Sequence, residues 1–255
     1  MSSLGDIITE RSGSILDVAF NRPTKKNAMT MSMYAAFADL LNDAVTDEAI
    51  RVVLVHGTGD SFTAGNDLGD FLKNPPGPAD SPQQRLIDAL INFDKPLVAA
   101  VHGAAVGSGT TMLTHFDFLY VGESAKFQMP FVNLALVPEF GASYSVPAQS
   151  GYVAAAELIL LGSPFDAKRA LELGFVTRVV PDQTVLAMAR ETAEKLAQKA
   201  PGALVASKKL LKRAFREQLA AAAKSEGQEF ASRVRSAEAK EAFTAFFDKH
   251  PLETR

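Results

Sequence analysis

Apolar and polar positions alternate at the beginning of the chain. The segment DIITERSGSILDVAFNRP alternates around Ser12 and Gly13, which predicts a β-hairpin that ends at Pro23. Further along, apolar positions form short continuous runs, which are typical of strands buried on both faces of a sheet. The predicted buried strands are RVVLVHG and KPLVAAVHG, and two further predicted strands are DFLYVGE and, just before Pro181, FVTRVV.

Between these runs, apolar residues recur at helical spacing. Thr30 is the predicted N-cap of a helix in which Met33, Phe37 and Leu41 share one face. The other predicted helices are QQRLIDALINF, GSGTTMLTHF, GYVAAAELILLG and DAKRALELG, with AKFQMP as a short extended piece and KNPPGPADSP as a loop. The pattern from 182 to 250 is almost wholly helical. We therefore expect an α/β fold of parallel strands alternating with helices, followed by a helical tail.

Composition narrows the class of protein. The chain has 255 residues, of which 47% are hydrophobic, enough for one large domain or one domain with a smaller appendage. A net charge of −3 gives no support to binding of nucleic acids or anionic membranes. The chain has no cysteine, which excludes disulfides, thiolate metal sites and cysteine nucleophiles. The four histidines lack metal-binding spacing, so we expect no metal site.

No targeting or membrane segment is visible in the sequence. MSSLGDIITERSG lacks the basic and apolar regions of a secretory signal, and the C-terminal ETR is not a peroxisomal address of the SKL type. The most apolar stretch, PLVAAVHGAAVGSGTTML, is interrupted by glycines and His102, which favours a buried strand and helix over a membrane span. We expect a cytoplasmic protein.

Two predicted strands are followed by turns of small residues. FTAGNDL, residues 62–68, follows the first buried strand, and HGAAVGSGTT follows the second. Such turns expose backbone N–H groups, and two of them aimed at one point would stabilise a developing oxyanion by roughly 3–4 kcal/mol per donor. The alternative is that the glycines only permit tight turns and close helix packing. The residues alone leave both interpretations open.

Taken together, the motifs resemble those of the crotonase (enoyl-CoA hydratase/isomerase) superfamily. The matching segments are NRPTKKNAM, VVLVHGTGDSFTAGNDLGDF, KPLVAAVHGAAVGSG, DFLYVGESAKFQMPFVNLALVPEFGAS and AKRALELGFVTRVVP. The resemblance implies a spiral of ββα units over 1–195, a helical trimerisation region over 196–255, and a homotrimer or hexamer. It also implies an acyl-CoA thioester substrate and no separate cofactor, since coenzyme A is part of that substrate.

The same resemblance assigns roles to individual positions. The N–H groups of Ala64 and Ser108 would form the oxyanion hole. The implied substrate-binding positions are Lys26, Ala28, Ala64, Gly65, Asn66, Asp67, Leu68, Gly107, Thr111 and Phe131. Apart from the resemblance, Asn66 and Asp67 are typical turn formers and helix caps.

The acidic residues distinguish between reactions of the superfamily. Its hydratases use two glutamates, and Thr111 and Phe131 stand at those positions here, where neither can act as a general base. Glu139 in LVPEFGAS is instead similar to the lone glutamate of peroxisomal-type Δ3,Δ2-enoyl-CoA isomerases, which implies that Glu139 moves a proton from C2 to C4. The alternatives are a hydratase or other crotonase-type reaction, and an acyl-CoA-binding protein without catalysis.

Two further expectations concern charged residues. Read alone, a Pro-Glu pair such as Pro138 and Glu139 favours a solvated carboxylate in a loop or first helical turn. Within the acyl pocket, burial would raise the pKa of Glu139 and a nearby helix start would lower it.

A basic stretch in the C-terminal region predicts a solvated helix face or, with Lys249 and Phe246, a contact with CoA phosphates. Its residues are Lys208, Lys209, Lys212, Arg213 and Arg216.

Overall fold

The computed structural model describes residues 2–73 and 81–249 and gives the chain an α/β fold. The strands are β1 (Ser2–Leu4), β2 (Ile7–Ser12), β3 (Ile15–Phe20), β4 (Val52–Gly57), β5 (Leu97–Val101), β6 (Ala104–Val106), β7 (Phe118–Gly122), β8 (Lys126–Gln128), β9 (Phe165–Asp166) and β10 (Arg178–Val180). The α-helices are α1 (Met31–Thr46), α2 (Leu68–Lys73), α3 (Pro82–Asn92), α4 (Ser108–Thr111), α5 (Ala142–Ser150), α6 (Tyr152–Leu160), α7 (Ala167–Glu172), α8 (Val185–Ala197), α9 (Pro201–Arg213), α10 (Arg216–Arg233) and α11 (Ala237–Lys249).

Two sheets organise the fold. The larger sheet has the strand order β1-β2-β3-β4-β5-β7-β10, antiparallel from β1 to β3 and parallel from β3 onward. The predicted hairpin is confirmed as β2 and β3, with the turn at Gly13 in a left-handed conformation (φ +59°). The smaller sheet has the order β6-β8-β9, and its first strand, β6, directly follows β5 in the chain.

The central parallel strands β4 and β5 are buried almost throughout, as their continuous apolar runs predicted, whereas β10 at the edge of the sheet exposes Arg178. Val53 and Val55 of β4 face the main core, whereas Val52 and Leu54 face a second core with α8. Successive side chains of a strand point to opposite faces, so helices must cover both sides of this sheet. The sheet is therefore a rigid support for the turns that leave its strands.

Several predicted elements differ from the observed ones. GSGTTMLTHF forms only the short α4 and a 3-10 turn, Met112–His115. The helix α5 was not predicted, because Pro147 lies inside it and its apolar residues have no clear helical stripe. In the predicted loop KNPPGPADSP, residues 74–80 lie outside the described residues.

The expectation of a solvated basic face on α9 is wrong for Lys208 and Lys212. Both side chains are buried. The Lys208 ammonium donates to Asp117 (2.6 Å) and to the Lys95 carbonyl (2.8 Å), and that of Lys212 donates to two carbonyls at the end of α3. Burial lowers the pKa of Lys212 to about 7. Lys208 thus ties α9 to the segments that precede β5 and β7, and Lys212 ties it to the end of α3.

The expected division between residues 195 and 196 lies inside α8, which packs on the sheet as far as Leu196 and Ala197. The trimerisation role of the region after this division stays a prediction. Within residues 2–73 and 81–249, no helix has both the length and the apolar character needed to cross a membrane.

Candidate active site

The two turns of small residues lie side by side. After β4, Thr63 forms a bridge with Ala105 of β6, through hydrogen bonds from Thr63 N to Ala104 O (3.0 Å) and from Val106 N to Thr63 O (3.1 Å). Gly65 then approaches β6 so closely that a Cβ atom there would lie 2.4 Å from the Val106 carbonyl oxygen. Gly65 also has φ +84°, so both the space and the conformation require glycine.

The available amides differ from the expected pair. The N–H of Ala64 is already used, because it donates to the Lys26 carbonyl at 2.8 Å. Further along the two turns, the backbone amides of Asn66 and Ser108 have no acceptor among the described residues. The amide of Gly107, by contrast, donates to the Gln128 carbonyl (2.9 Å). The structure therefore supplies Asn66 and Ser108, rather than Ala64 and Ser108, as the pair of unpaired N–H groups.

The side chains of these two residues are joined by a buried tyrosine of α1. The Tyr34 hydroxyl donates to Oδ1 of Asn66 (2.6 Å) and shares a hydrogen bond with Oγ of Ser108 (2.8 Å). Burial and the neighbouring Glu139 raise the pKa of Tyr34 well above its usual value, so the phenol stays neutral. One hydroxyl thus links both residues whose amides are unpaired.

Glu139 lies beside this pair and is buried, with 4% of its surface exposed. Its Oε2 accepts from Nε2 of Gln83 (2.8 Å), and its Oε1 accepts from Nδ2 of Asn66 (3.4 Å). The alternative of a solvated loop carboxylate is therefore wrong. Burial raises the pKa of Glu139 to about 8, although the donors Gln83 and Asn66 act in the opposite direction.

The residue after Glu139 has an unusual backbone. Phe140 adopts a left-handed conformation with φ +63°. Non-glycine residues rarely take this conformation, and it persists where the surroundings hold it. His115 provides one such constraint, since its Nε2 donates to the Phe140 carbonyl at 2.8 Å.

A cavity of about 410 Å³ opens beside the two turns. Of the positions predicted from the sequence, those on its wall are Ala28, Ala64, Asn66, Asp67, Leu68, Gly107, Ser108 and Phe131. Lys25, rather than Lys26, lines it. Glu139 and Gln83 line a smaller adjoining cavity of about 30 Å³, and Phe230 of α10 belongs to the walls of both cavities.

Thr111 lies away from the wall of the larger cavity, and Asp67 and Asn66 make further contacts besides lining it. Thr111 is fully buried, does not line the larger cavity, and donates its hydroxyl to the Gly107 carbonyl at 3.2 Å. Asp67 begins α2 by accepting from Asp70 N (3.0 Å), and it pairs with Arg22 (3.0 Å). Asn66 is more than the turn former that its residue type suggests, because its side chain contacts Glu139.

Sequence reasoning missed Gln83 and Tyr34. Gln83 lies four and seven positions before Ile87 and Leu90, on the buried face of α3. A polar residue at an apolar position of a helix is unusual, and this could have indicated a functional role. Tyr34 had no such signal, because a tyrosine beside Met33 is ordinary in a helix core. In the described part of the chain, no three His, Asp or Glu side chains cluster as metal ligands would.

Comparison with known proteins agrees with this geometry. Residues 10–254 match the family model described as Enoyl-CoA hydratase/isomerase. The chain belongs to the enoyl-CoA hydratase/isomerase family. The crotonase superfamily expected from the motifs is thereby confirmed.

Relatives within the family carry different activities in their names. Enoyl-CoA delta isomerase 2 of Rattus norvegicus is 34% identical over 98% of this chain and 65% of its own length, so this chain spans less than two-thirds of that relative. The 2,3-dehydroadipyl-CoA hydratase of Escherichia coli K12 is 30% identical over 96% of this chain and 97% of its own. Membership of the family therefore does not by itself assign the reaction of this chain.

The solved structure of Pseudomonas aeruginosa OdaA superposes with a TM-score of 0.93 at 46% identity, over 96% of this chain and 99% of that one. Together with the mixed sheet and the helical C-terminal region, this similarity confirms the predicted crotonase-like α/β fold.

Proposed function

We propose that this protein is a Δ3,Δ2-enoyl-CoA isomerase, which moves the double bond of a 3-enoyl-CoA thioester to the 2-trans position. The observation that carries the proposal is the buried carboxylate of Glu139, which is hydrogen-bonded to Asn66, and the N–H of Asn66 has no acceptor among the described residues. When a single residue catalyses the shift of a double bond, that residue must remove a proton as a base and then return it as an acid. The reaction also needs hydrogen-bond donors for the developing oxyanion.

In the proposed reaction, the thioester carbonyl oxygen accepts hydrogen bonds from Asn66 N and Ser108 N. The Glu139 carboxylate removes a proton from C2, and the C–H electron pair forms the C1=C2 bond of a dienolate while the carbonyl electrons move to oxygen. The protonated Glu139 then donates its proton to C4, where the electron pair of the C3=C4 bond forms the new C–H bond. The oxygen electrons restore the carbonyl, and the C1=C2 electron pair moves to form the double bond between C2 and C3.

The surroundings of Glu139 suit both steps. A pKa of about 8 makes the carboxylate a stronger base than an exposed glutamate, and its conjugate acid is still able to give the proton back near neutral pH. The apolar Phe131 and Phe230 on the cavity walls would keep water from the dienolate. Tyr34, Gln83 and Asn66 hold the carboxylate and the amides in one connected polar network.

Hydration is less well supported. It requires a second acid or base, and Thr111 and Phe131 occupy the family's two glutamate positions. The acidic residue on the described wall of the larger cavity is Asp67, whose two oxygens are used by Arg22 and by the start of α2. The name of the related 2,3-dehydroadipyl-CoA hydratase keeps this reaction as the second candidate.

The remaining expectations are part of the same proposal. Coenzyme A enters as part of the substrate, no separate cofactor acts, and the protein works in the cytoplasm. A homotrimer or hexamer is supported by exposed apolar side chains on α6, among them Tyr152 (77% exposed) and Val153 (84%), and by Leu210 and Leu211 on α9.

The test compares wild type with Glu139→Gln on a 3-enoyl-CoA, following the absorbance of the conjugated 2-enoyl thioester. We expect turnover by wild type and a loss of at least about a hundredfold in the variant, since general acid–base catalysis contributes about 10²–10⁴-fold. Glu123→Gln, an exposed substitution of the same kind, is the control. Full activity of Glu139→Gln, or faster hydration of crotonyl-CoA than isomerisation by wild type, would contradict the proposal.

A further inference from the structure

We infer that Glu226 of α10 is a positioning residue for the proposed reaction, because its carboxylate holds the loop that carries Glu139. This inference rests on the proposed function. Glu226 does not line the larger cavity, where the substrate is proposed to bind, so it acts through Glu139. It does line the small cavity that also contains Glu139.

The contact between Glu226 and the loop is bidentate. Its Oε2 accepts from Gly141 N at 2.7 Å, and its Oε1 accepts from Ser143 N at 2.6 Å. Both donors are main-chain groups at the beginning of α5, within four residues of Glu139. Because both oxygens accept and the helix N-terminus favours negative charge, the geometry suits the carboxylate form of Glu226.

The loop between Glu139 and α5 needs such a constraint. Phe140 and Gly141 both have left-handed backbones, with φ +63° and φ +70°. A Cβ at Gly141 would lie 2.5 Å from Cδ1 of Leu219, another residue of α10. Two residues of α10 therefore hold the loop: Leu219 lies close to Gly141, and Glu226 accepts hydrogen bonds from the loop's backbone. His115 also donates a hydrogen bond to the Phe140 carbonyl.

Glu226 also acts on Glu139 through its charge. A second carboxylate nearby favours the protonated form of Glu139 and adds to the effect of burial on its pKa. Two further titratable groups near the loop are neutral, and the lysines Lys208 and Lys212 of α9 act on one of them, His115, by charge. Tyr34 of α1 stays a neutral phenol, and burial lowers the pKa of His115 to about 4, so this imidazole is neutral as well.

Two variants of Glu226 and one control variant separate the effect of its hydrogen bonds to the loop from the effect of its charge on Glu139. Glu226→Gln removes the charge and places an NH2 group against a backbone N–H, whereas Glu226→Asp keeps the charge but is too short to reach both donors. Glu229→Gln is the matched control, since Glu229 is exposed on the same helix. The readouts are kcat and KM for the 3-enoyl-CoA, and the titration of the Glu139 carboxyl by 13C NMR, assigned by its loss in Glu139→Gln.

We expect kcat to fall about tenfold in both Glu226 variants, the effect of one lost charge-assisted hydrogen bond, while KM changes little. In Glu226→Gln the Glu139 carboxyl titrates at lower pH than in wild type, and in Glu226→Asp it titrates near the wild-type pH. Circular dichroism shows whether each variant is folded. If Glu226→Gln is not folded, the kcat of Glu226→Asp decides.

The inference is overturned if both Glu226 variants match Glu229→Gln in kcat and in the Glu139 titration. A failure of the proposed function looks different. In that case wild type does not isomerise 3-enoyl-CoA, and the NMR titration of Glu139 in Glu226→Gln still reports whether Glu226 controls that carboxyl.

Discussion

The hydroxyl oxygen of Tyr34 lies 2.6 Å from the side-chain oxygen of Asn66, a residue 32 positions further along the chain. The same hydroxyl lies 2.8 Å from Oγ of Ser108. The amides of Asn66 and Ser108 have no acceptor in the described part of the chain, so a helix residue outside the larger cavity links the two residues of the proposed oxyanion hole.

Tyr34→Phe should therefore lower kcat by about tenfold and change KM less, because one hydrogen bond to each amide-bearing residue is lost. We also expect the free energy of unfolding to fall by about 1–3 kcal/mol, since Asn66 Oδ1 loses its shortest donor. Steady-state kinetics and denaturant unfolding measure these effects. The control is Tyr152→Phe, whose hydroxyl lies on an exposed side chain. Equal kcat in the two variants would exclude this role for Tyr34.

The pKa of Glu139 predicts how stability depends on pH. Folding raises this pKa to about 8, so the folded protein keeps a proton that the unfolded chain has released above about 4.5. The contribution of this proton is full below the unfolded pKa and is lost as pH rises through about 8. Glu139→Gln, which has no charge to bury, should thus be more stable than wild type at pH 9, with a smaller difference at pH 5. Thermal unfolding at both pH values checks this, and a difference independent of pH would refute it.

Gly65→Ala tests the close approach of the two turns. The added methyl group would lie 2.4 Å from the Val106 carbonyl oxygen, at a residue with φ +84°. We expect a loss of at least about 1–3 kcal/mol in unfolding free energy and a matching loss of activity, since Asn66 follows directly. Gly202→Ala in α9 is the control, because nothing lies within 4 Å of its Cβ position, and helix propensity predicts a small gain in stability. Similar effects of both substitutions would contradict the prediction.

Lys208→Met tests the buried cation that joins α9 to the sheet layer. It leaves Asp117 and the Lys95 carbonyl without their shared donor, so we expect a destabilisation of about 2–4 kcal/mol. Lys209→Met removes the neighbouring exposed cation and should change stability by less than about 0.5 kcal/mol. Urea unfolding of the two variants compares them. A neutral effect of Lys208→Met would mean that this ion pair does not hold the C-terminal helices.

Local patterns predicted the parts of the fold that depend on neighbouring residues. The hairpin at Gly13, the capping of α1 by Thr30 and the buried strand β4 follow from alternation, capping preference and an apolar run. The two turns of small residues were visible for the same reason. The interpretation of Glu139 as the reacting carboxylate required the resemblance to a family, because a Pro-Glu pair by itself favours a solvated position.

The rest depended on contacts between distant parts of the chain. Whether Ala64 N or Asn66 N stays unpaired is set by the pairing of this turn with the segment around Lys26 and Met29, which no local pattern reveals. Lys208 is buried because Asp117, 91 residues earlier, lies beneath it, whereas a sequence of closely spaced cations suggests a solvated face. Gln83 likewise meets Glu139 across 56 residues.

Phe230 belongs to the walls of both cavities, and it lies near the end of the described chain. The helical region that follows the sheets therefore supplies a wall shared by both cavities, so the proposed acyl site is complete only when α10 is packed against the turns.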